Sequence, residues 1–183
     1  NDVVDTYGGR WRLNYQMSIQ APSNLPHPYF VDADGTKHYF YQESSTSPVI
    51  DEDGLGYTLT TNSSSTTERY VITDKGKNKM YFNSAGKLTK IADAVGNAAI
   101  ISYNSSGNIS TITDGAGRIY QLAYTSGILS SITAPDGKVV KYTYNSAKQL
   151  TSIIYPDENE SSAKTTFAYS DAGLINRINR PDG

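Results

Sequence analysis

Few side chains in this sequence belong to the types that hydrolytic enzymes use. The chain of 183 residues has two histidines, His27 and His38, and no cysteine. A serine hydrolase needs a serine nucleophile beside a histidine base and an orienting carboxylate. No G-x-S-x-G motif marks such a serine, and His27 lies in the proline-rich stretch "APSNLPHP" (21–28). We therefore expect no enzyme activity, unless His27 or His38 lies beside a serine and a carboxylate in a cleft.

Two acidic stretches are the candidates for a metal site. "DADG" (32–35) and "DEDG" (51–54) are superficially similar to calcium-binding loops. In the first stretch, glycine stands at the fourth position instead of the sixth, and Thr36 occupies a place where a ligand is required. Turn formation accounts for both stretches, so we expect no metal. No phosphate-binding glycine loop occurs either, and we expect no cofactor.

Tyrosine is the abundant residue that could bind a ligand. The chain has 15 tyrosines, and many have Asn, Ser or Thr as neighbours. Flat rings with polar groups at their rim can stack on the apolar faces of sugars. Rings that recur at equivalent positions are more simply explained as a row of core residues that pack against one another. We therefore predict packing, and keep glycan stacking as the alternative for four residues: Tyr103, Tyr124, Tyr142 and Tyr144.

Composition excludes several other classes of partner. Sixteen basic against eighteen acidic residues give a formal net charge of −2, without a basic block that would attract nucleic acid. No apolar run reaches the roughly 18–20 residues that a membrane helix needs. The chain starts at Asn1 and stops at "RPDG" (180–183), where a further repeat would begin. We expect it to be a piece of a longer protein.

A repeat of about 21 residues organises the C-terminal part of the chain. The steps between lead aromatic residues are 21, 21, 20 and 25 residues, and the steps between closing isoleucines are 21, 20, 21 and 25 residues. The lead residues are Phe82, Tyr103, Tyr124, Tyr144 and Tyr169, and the closing residues are Ile91, Ile112, Ile132, Ile153 and Ile178. Because two independent landmarks agree, the repeat is a strong signal.

Each repeat predicts a β-hairpin. Its first strand alternates with period two, as in Leu122 and Tyr124, and a turn such as "NSAG" (83–86) follows. The second strand carries two aliphatic residues three positions apart, as in Leu129 and Ile132. Three is not a strand period, so a bulge or a strong local twist must bring both residues onto one face.

The first seventy residues do not follow the repeat. We predict a strand in "GGRWRLNYQMSI" (8–19), a hairpin over residues 29–42 and another over residues 68–82. A hairpin of this size cannot bury its own apolar face, so the repeats must stack edge to edge behind an atypical end. The predicted fold is all-β, a curved antiparallel sheet of stacked hairpins. Residues 1–70 would form an N-terminal cap, and residues 71–183 an array of about five hairpins.

The repeated units resemble the YD repeats of the Rhs family, over roughly residues 70 to 183. The stretches that carry the resemblance are "YFNSAGKLTKIADAVG" (81–96), "YNSSGNISTITDGAG" (103–117), "YTSGILSSITAPDG" (124–137), "YNSAKQLTSIIYPD" (144–157) and "YSDAGLINRINRPDG" (169–183). The resemblance implies a secreted or surface protein, usually bacterial, whose repeats wind into a hollow β-shell. Family members include polymorphic toxins, wall-associated proteins and teneurins, and the shell commonly encloses a C-terminal toxin or effector domain.

Two functions follow as hypotheses. The first is a structural segment of such a shell, whose partners are further repeats and a C-terminal domain of the parent protein. The second is a surface array that binds cell-wall or host glycans. In either case a cut sheet leaves an edge, and we expect the chain to associate with itself through edge strands.

Overall fold

The computed structural model describes residues 11–156 and 163–181, and within these ranges it contains β-strands and no helix. No helix that could cross a membrane is therefore found in the described residues. The strands are β1 (Ser18–Gln20), β2 (Tyr29–Val31), β3 (Lys37–His38), β4 (Phe40–Tyr41), β5 (Val49–Asp51), β6 (Thr58–Thr61), β7 (Tyr70–Thr73), β8 (Lys79–Phe82), β9 (Leu88–Ala92), β10 (Ala98–Tyr103), β11 (Ile109–Thr113), β12 (Ile119–Thr125), β13 (Ile128–Thr133), β14 (Val139–Tyr144), β15 (Leu150–Ile154), β16 (Lys164–Tyr169) and β17 (Ile175–Asn179).

The chain divides into two compact units. The N-terminal unit holds residues 12–102 and 112–117. In it, β1, β2 and β3 form a small antiparallel sheet, and the strands from β4 to β10 follow one another in chain order. Each of these strands pairs antiparallel with the next. The predicted hairpins over residues 29–42 and 68–82 correspond to β2 with β3 and to β7 with β8.

The C-terminal unit holds Trp11, residues 103–111 and the described residues from Arg118 onward. Its strands β12 to β17 also follow in chain order, and each pairs antiparallel with the next. The prediction of an all-β fold built from stacked antiparallel hairpins is confirmed. The proposed division into a cap of residues 1–70 and an array of residues 71–183 stays a prediction.

A bulge recurs at the same place in the repeats. In the hairpin of β12 and β13 the register shifts between Ala123 and Tyr124, so that Tyr124 faces Leu129 while Leu122 faces Ile132. The same shift occurs before Phe82, Tyr144 and Tyr169. One extra residue in the second strand lets the two aliphatic residues, three positions apart, lie on one face. Of the two predicted alternatives, a bulge or a strong twist, the structure has the bulge in these four repeat hairpins.

The first turn of each hairpin requires a left-handed residue. Gly86, Gly107, Gly127 and Gly173 all adopt positive φ there. In the fourth repeat Lys148 takes the same conformation with φ of 61°. A residue with a Cβ atom adopts this left-handed backbone conformation at a higher energy than glycine does. The sequence "NSAK" (145–148) therefore keeps the turn geometry that the other repeats obtain from glycine.

The core of each unit is made of these aligned apolar residues. In the N-terminal unit Phe30, Ile72, Phe82 and Leu88 are almost entirely shielded from solvent. In the C-terminal unit the buried positions are those of the repeat, including Ile109, Leu122, Leu129 and Leu150. The aliphatic residues that begin the second strands thus supply most of the burial, and the lead aromatic rings lie beside them.

The small sheet is attached to the first hairpin of the repeat array at Gly86. The Ile19 amide donates to the Gly86 carbonyl at 2.8 Å, and Ser18 forms a β-bridge with Lys87. A Cβ atom on Gly86 would lie 1.9 Å from the Ile19 carbonyl oxygen. Glycine is required here both by the positive φ of 74° and by this close approach.

The predicted strand over residues 8–19 is wrong for most of its described length. Only Ser18–Gln20 forms a strand, and residues 8–10 lie outside the described residues. Before it the chain turns, with the Gln16 amide donating to the Leu13 carbonyl at 2.9 Å and the Leu13 amide donating to the Gln16 side chain at 3.0 Å. Gln16 thus closes a local turn around Asn14 and Tyr15, and this turn replaces the pairing that an extended strand would need.

Replacing Gly86 by alanine should destabilise the protein more than the same change at Gly127. Both residues have positive φ, of 74° and 80°, so both substitutions strain the backbone by about 1 kcal/mol. A Cβ atom on Gly127 would have nothing within 4 Å, whereas the one on Gly86 would clash with the Ile19 carbonyl. We expect urea unfolding to show an additional loss of about 2 kcal/mol for Gly86→Ala. Equal losses in the two variants would contradict a tight attachment of β1.

Candidate functional site

The four tyrosines that sequence analysis singled out lie on the ring-bearing face of the sheet. Tyr103, Tyr124, Tyr142 and Tyr144 are all half-buried. Their rings lie on the same face as the buried aliphatic residues, since Tyr124 pairs with Leu129 and Tyr144 with Leu150. The rings therefore cover the apolar core of the repeats and still reach solvent with part of their surface.

Two lead tyrosines join neighbouring hairpins through their hydroxyl groups. The Tyr124 hydroxyl donates to the Ile109 carbonyl at 2.7 Å. The Tyr169 hydroxyl donates to the Leu150 carbonyl at 2.8 Å. In both cases the acceptor is the first residue of the second strand of the preceding hairpin. Each of these tyrosines thus contributes its ring to the core and its hydroxyl to the attachment of one repeat to the next.

The tyrosines of β14 are different. Among the described residues, neither Tyr142 nor Tyr144 has a hydrogen-bond partner for its hydroxyl. Burial raises the pKa of both phenols, with a smaller contribution from Tyr155 at Tyr142 and from Tyr142 and Tyr124 at Tyr144. Burial also raises the pKa of Tyr103, to about 12. All three phenols are therefore neutral at physiological pH and able to donate a hydrogen bond.

The first repeat has phenylalanine where the others have tyrosine, and the small sheet supplies the reason. Phe82 is 0% exposed and meets the ring of Phe30 edge to face, with centroids 5.9 Å apart. A hydroxyl group at such a site would need a buried partner. Phe82 therefore packs against Phe30 at a position where a tyrosine hydroxyl would need a buried partner.

Trp11 covers the last lead aromatic residue of the C-terminal unit. Its ring meets Phe167 edge to face at a centroid distance of 5.1 Å. Its indole N–H donates to the Tyr169 hydroxyl at 3.3 Å, and that hydroxyl in turn donates to the Leu150 carbonyl. The Tyr169 hydroxyl is therefore both donor and acceptor. The contact joins residues 158 positions apart in sequence.

His38 lies in a cluster of acidic residues in the N-terminal unit. Its Nδ1 is 2.8 Å from an Asp53 carboxylate oxygen, and its Nε2 is 3.0 Å from an Asp32 carboxylate oxygen. Phe30 stacks on the imidazole with centroids 5.7 Å apart, and Tyr57 meets it edge to face. Burial alone would lower the pKa of His38, but the hydrogen bonds and charges of Asp32 and Asp53 together raise it above its usual value.

This arrangement does not provide the elements of a hydrolase. Both ring nitrogens of His38 face carboxylates, so neither is available to take a proton from a serine. His27 has no described hydrogen bond that would orient it as a base. Within residues 11–156 and 163–181, no group of three or more His, Asp or Glu side chains that could hold a metal ion is found.

The two acidic stretches use their carboxylates to shape turns. One oxygen of Asp32 accepts hydrogen bonds from the amides of Asp34, Gly35 and Thr36. The buried carboxylate of Asp51 accepts hydrogen bonds from the amides of Leu55, Gly56 and Tyr57 at distances of 2.6 to 2.8 Å. These oxygens satisfy backbone donors that the turns would otherwise leave unpaired.

The hydroxyl bonds between repeats and the role of Trp11 were not predicted from the sequence. A signal for the hydroxyl bonds was present, because tyrosine stands at four of the five lead positions although phenylalanine would bury as much ring surface. A repeated preference for the hydroxyl indicates a repeated acceptor. No sequence signal indicated Trp11 or the pairing of His38 with Asp53, because both depend on distant parts of the chain.

The family model described as "Teneurin YD-shell" matches residues 36–183. Among solved structures, a crystal structure of TcdB2-TccC3-TEV is similar at 13% sequence identity, covering 80% of this chain and 9% of that chain with a TM-score of 0.44. A crystal structure of TcdB2-TccC3-Cdc42 is similar at 14% identity, covering 82% of this chain and 11% of that chain with a TM-score of 0.32. This chain therefore spans about a tenth of the length of either. No curated protein sequence matches it.

Removing the hydroxyl group should distinguish the tyrosines that join repeats from those that do not. We expect Tyr124→Phe to lower the free energy of unfolding by about 1 kcal/mol, because the Ile109 carbonyl loses a donor. Tyr169→Phe should cost at least as much, since Trp11 also loses its acceptor. Tyr144→Phe is the matched control and should change stability by less than about 0.5 kcal/mol. The measurement is urea unfolding, and equal effects at all three positions would contradict the assignment.

Proposed function

This chain belongs to the teneurin YD-shell family, and on that premise we propose that it is a non-enzymatic structural segment whose shell encloses or presents a C-terminal effector or toxin domain of its parent protein. The single observation that carries the structural role is the equivalent bond between hairpins. Tyr124 and Tyr169 each bind the carbonyl at the start of the preceding second strand. Such an arrangement can be continued by any number of further repeats.

The last described strand supports continuation at the C-terminal end. All five residues of β17 are exposed, and Ile178 has 53% of its surface exposed. Within the hairpin, Ile178 lies opposite Phe167 and Ile175 lies opposite Tyr169. The equivalent second-strand residues of earlier repeats, such as Leu129 and Leu150, are buried. One more hairpin would bring its lead tyrosine over Ile175 and pair with the edge of β17 that no described strand occupies. The same edge would let isolated chains associate with one another.

The absence of catalysis is also part of the proposal. The clustered polar groups that resemble a site, namely Asp32, Asp51 and His38, are engaged with backbone amides or with one another. A scaffold needs these turns to be rigid and does not need a free base. We further propose a secreted or cell-surface location in a bacterial toxin-related protein, with the remaining repeats and the C-terminal domain as partners.

A chain extended by one repeat tests the structural role. Appending a second copy of the segment 118–137 to the C-terminal end should protect the β17 amides from hydrogen exchange by at least about tenfold, because their open edge becomes paired. The readout is exchange at Asn176 and Ile178 followed by NMR or mass spectrometry.

The matched control carries Leu122→Lys and Tyr124→Lys in the appended copy only. It should leave β17 unprotected, because the copy can no longer cover the aliphatic row. Protection by the control, or none by the intact copy, would contradict a role in stacking repeats.

Light scattering of the original chain at rising concentration should show self-association, and a strict monomer would count against an edge strand that pairs with other chains.

Binding of cell-wall or host glycans is the second candidate function. The observation that favours it is the pair of half-buried rings on β14, Tyr142 and Tyr144, whose hydroxyls have no partner among the described residues. Together with Tyr103 and Tyr124 they form the row that could stack on sugar rings. The engagement of the Tyr124 hydroxyl with the backbone argues for packing as the main role of this row.

A glycan array and isothermal titration with cell-wall fragments separate the two candidates. We expect no binding, because the rings serve to cover the aliphatic row. Specific binding that Tyr144→Ala abolishes, while the exposed Tyr41→Ala leaves it intact, would instead establish the glycan function. Circular dichroism would confirm that both variants keep their strands.

A further inference from the structure

His38 links the small sheet to a turn outside that sheet. It belongs to β3, as the last residue of the strand, and Asp32 lies in the turn between β2 and β3. Asp53 lies in the separate turn between β5 and β6, 15 residues away in sequence. The His38 side chain is only 8% exposed and bridges the two carboxylates at 2.8 and 3.0 Å. One ring therefore connects two elements of the N-terminal unit.

The bridge requires a particular protonation state. An ionised carboxylate only accepts hydrogen bonds, so both ring nitrogens must carry a proton to donate to both partners. Only the imidazolium cation does this. Loss of either proton leaves a nitrogen lone pair about 3 Å from a carboxylate oxygen, which turns an attraction into a repulsion between two acceptors.

The surroundings of the ring favour the cation. The acidic groups that act on it are Asp32 and Asp34 from one turn and Asp53 from the other. Tyr57 faces the ring with its edge, and Phe30 stacks on it. The Arg12 guanidinium lies near Gly35 in the first of these turns. Three carboxylates thus act on the ring and favour its charged form.

Other contacts also attach the small sheet. They are the hydrogen bond from the Ile19 amide to the Gly86 carbonyl, the bridge between Ser18 and Lys87, and the ring contacts of Phe30 with Phe82 and Tyr57. Phe30 touches both Phe82 and the His38 ring. A change at the imidazole is therefore transmitted directly to the aromatic contact that covers the first repeat.

We propose that His38 is a protonation-dependent latch, which holds the small sheet against the first repeats when the imidazole is charged and releases it when the imidazole is neutral. Release would uncover Phe82, the first ring of the row, and separate Ile19 from Gly86. The N-terminal end of the repeat row would then open on going from acidic to alkaline conditions. This regulation goes beyond the structural role proposed above and does not depend on what the shell contains.

The direction of the pH dependence follows from linkage. The pKa of His38 is raised in the folded protein above its ordinary value of 6.5. The stabilisation is therefore fully present below about pH 6.5 and is lost as the pH rises through the folded-state pKa. Each unit by which the pKa is raised corresponds to about a tenfold change in the attachment equilibrium.

Two measurements on the whole chain test the latch. The first follows the His38 ring by NMR between pH 5 and 10, in native buffer and in denaturant, and we expect its midpoint to be higher in the native protein. The second measures hydrogen exchange of the Ile19 amide, corrected for the intrinsic effect of pH. We expect the opening equilibrium to rise by about tenfold or more above the His38 midpoint. A native midpoint at or below the denatured one would overturn the proposal.

Variants separate the latch from a general effect of pH. His38→Gln should make the opening of Ile19 independent of pH, and Asp53→Asn should lower the His38 midpoint while keeping the shape of the site. Asp136→Asn is the matched control, because Asp136 is an exposed turn carboxylate 3.6 Å from Lys138, and it should change neither quantity. If His38→Gln fails to fold, Asp53→Asn still decides the matter. An unchanged pH dependence in Asp53→Asn would exclude the latch.

Discussion

A two-stranded hairpin cannot shield its own apolar row from water, and the rest of this structure depends on that constraint. Each hairpin presents aligned rings and aliphatic side chains that only a neighbour can cover. The bulge in four of the repeat hairpins lets a second strand contribute two aliphatic residues, such as Leu129 and Ile132, to the covered face. Each repeat is therefore stable only when a neighbouring repeat stacks on it.

Tyrosine suits the lead position because one side chain meets two requirements. Its ring covers the aliphatic residues, and its hydroxyl satisfies a carbonyl of the preceding hairpin, as Tyr124 does for Ile109. The surroundings of two lead residues differ from this pattern. In the N-terminal unit Phe30 faces Phe82, and no hydroxyl is needed. In the C-terminal unit Trp11 adds a donor to Tyr169, so that this hydroxyl makes two bonds.

The polar clusters of the N-terminal unit show how residues typical of active sites can serve a scaffold. Asp32 and Asp51 bind backbone amides in their turns, which costs them the freedom to bind a metal or a substrate. His38 is fixed between two carboxylates. Each of its ring nitrogens thus already has a carboxylate partner. In this setting a histidine serves to connect two turns of the N-terminal unit.

Sequence alone determined the repeat and the hairpin within it, because each is a local pattern of period or spacing. It required either a bulge or a strong local twist in the second strand, and the structure has the bulge. Sequence alone misassigned residues 11–17, where Gln16 closes a turn that alternation could not reveal. Only the tertiary structure decided which carbonyl each tyrosine binds, that Trp11 meets Tyr169, and that His38 meets Asp53. These contacts join residues far apart in the chain, and their partners are chosen by how the hairpins stack, which no local pattern of side chains records.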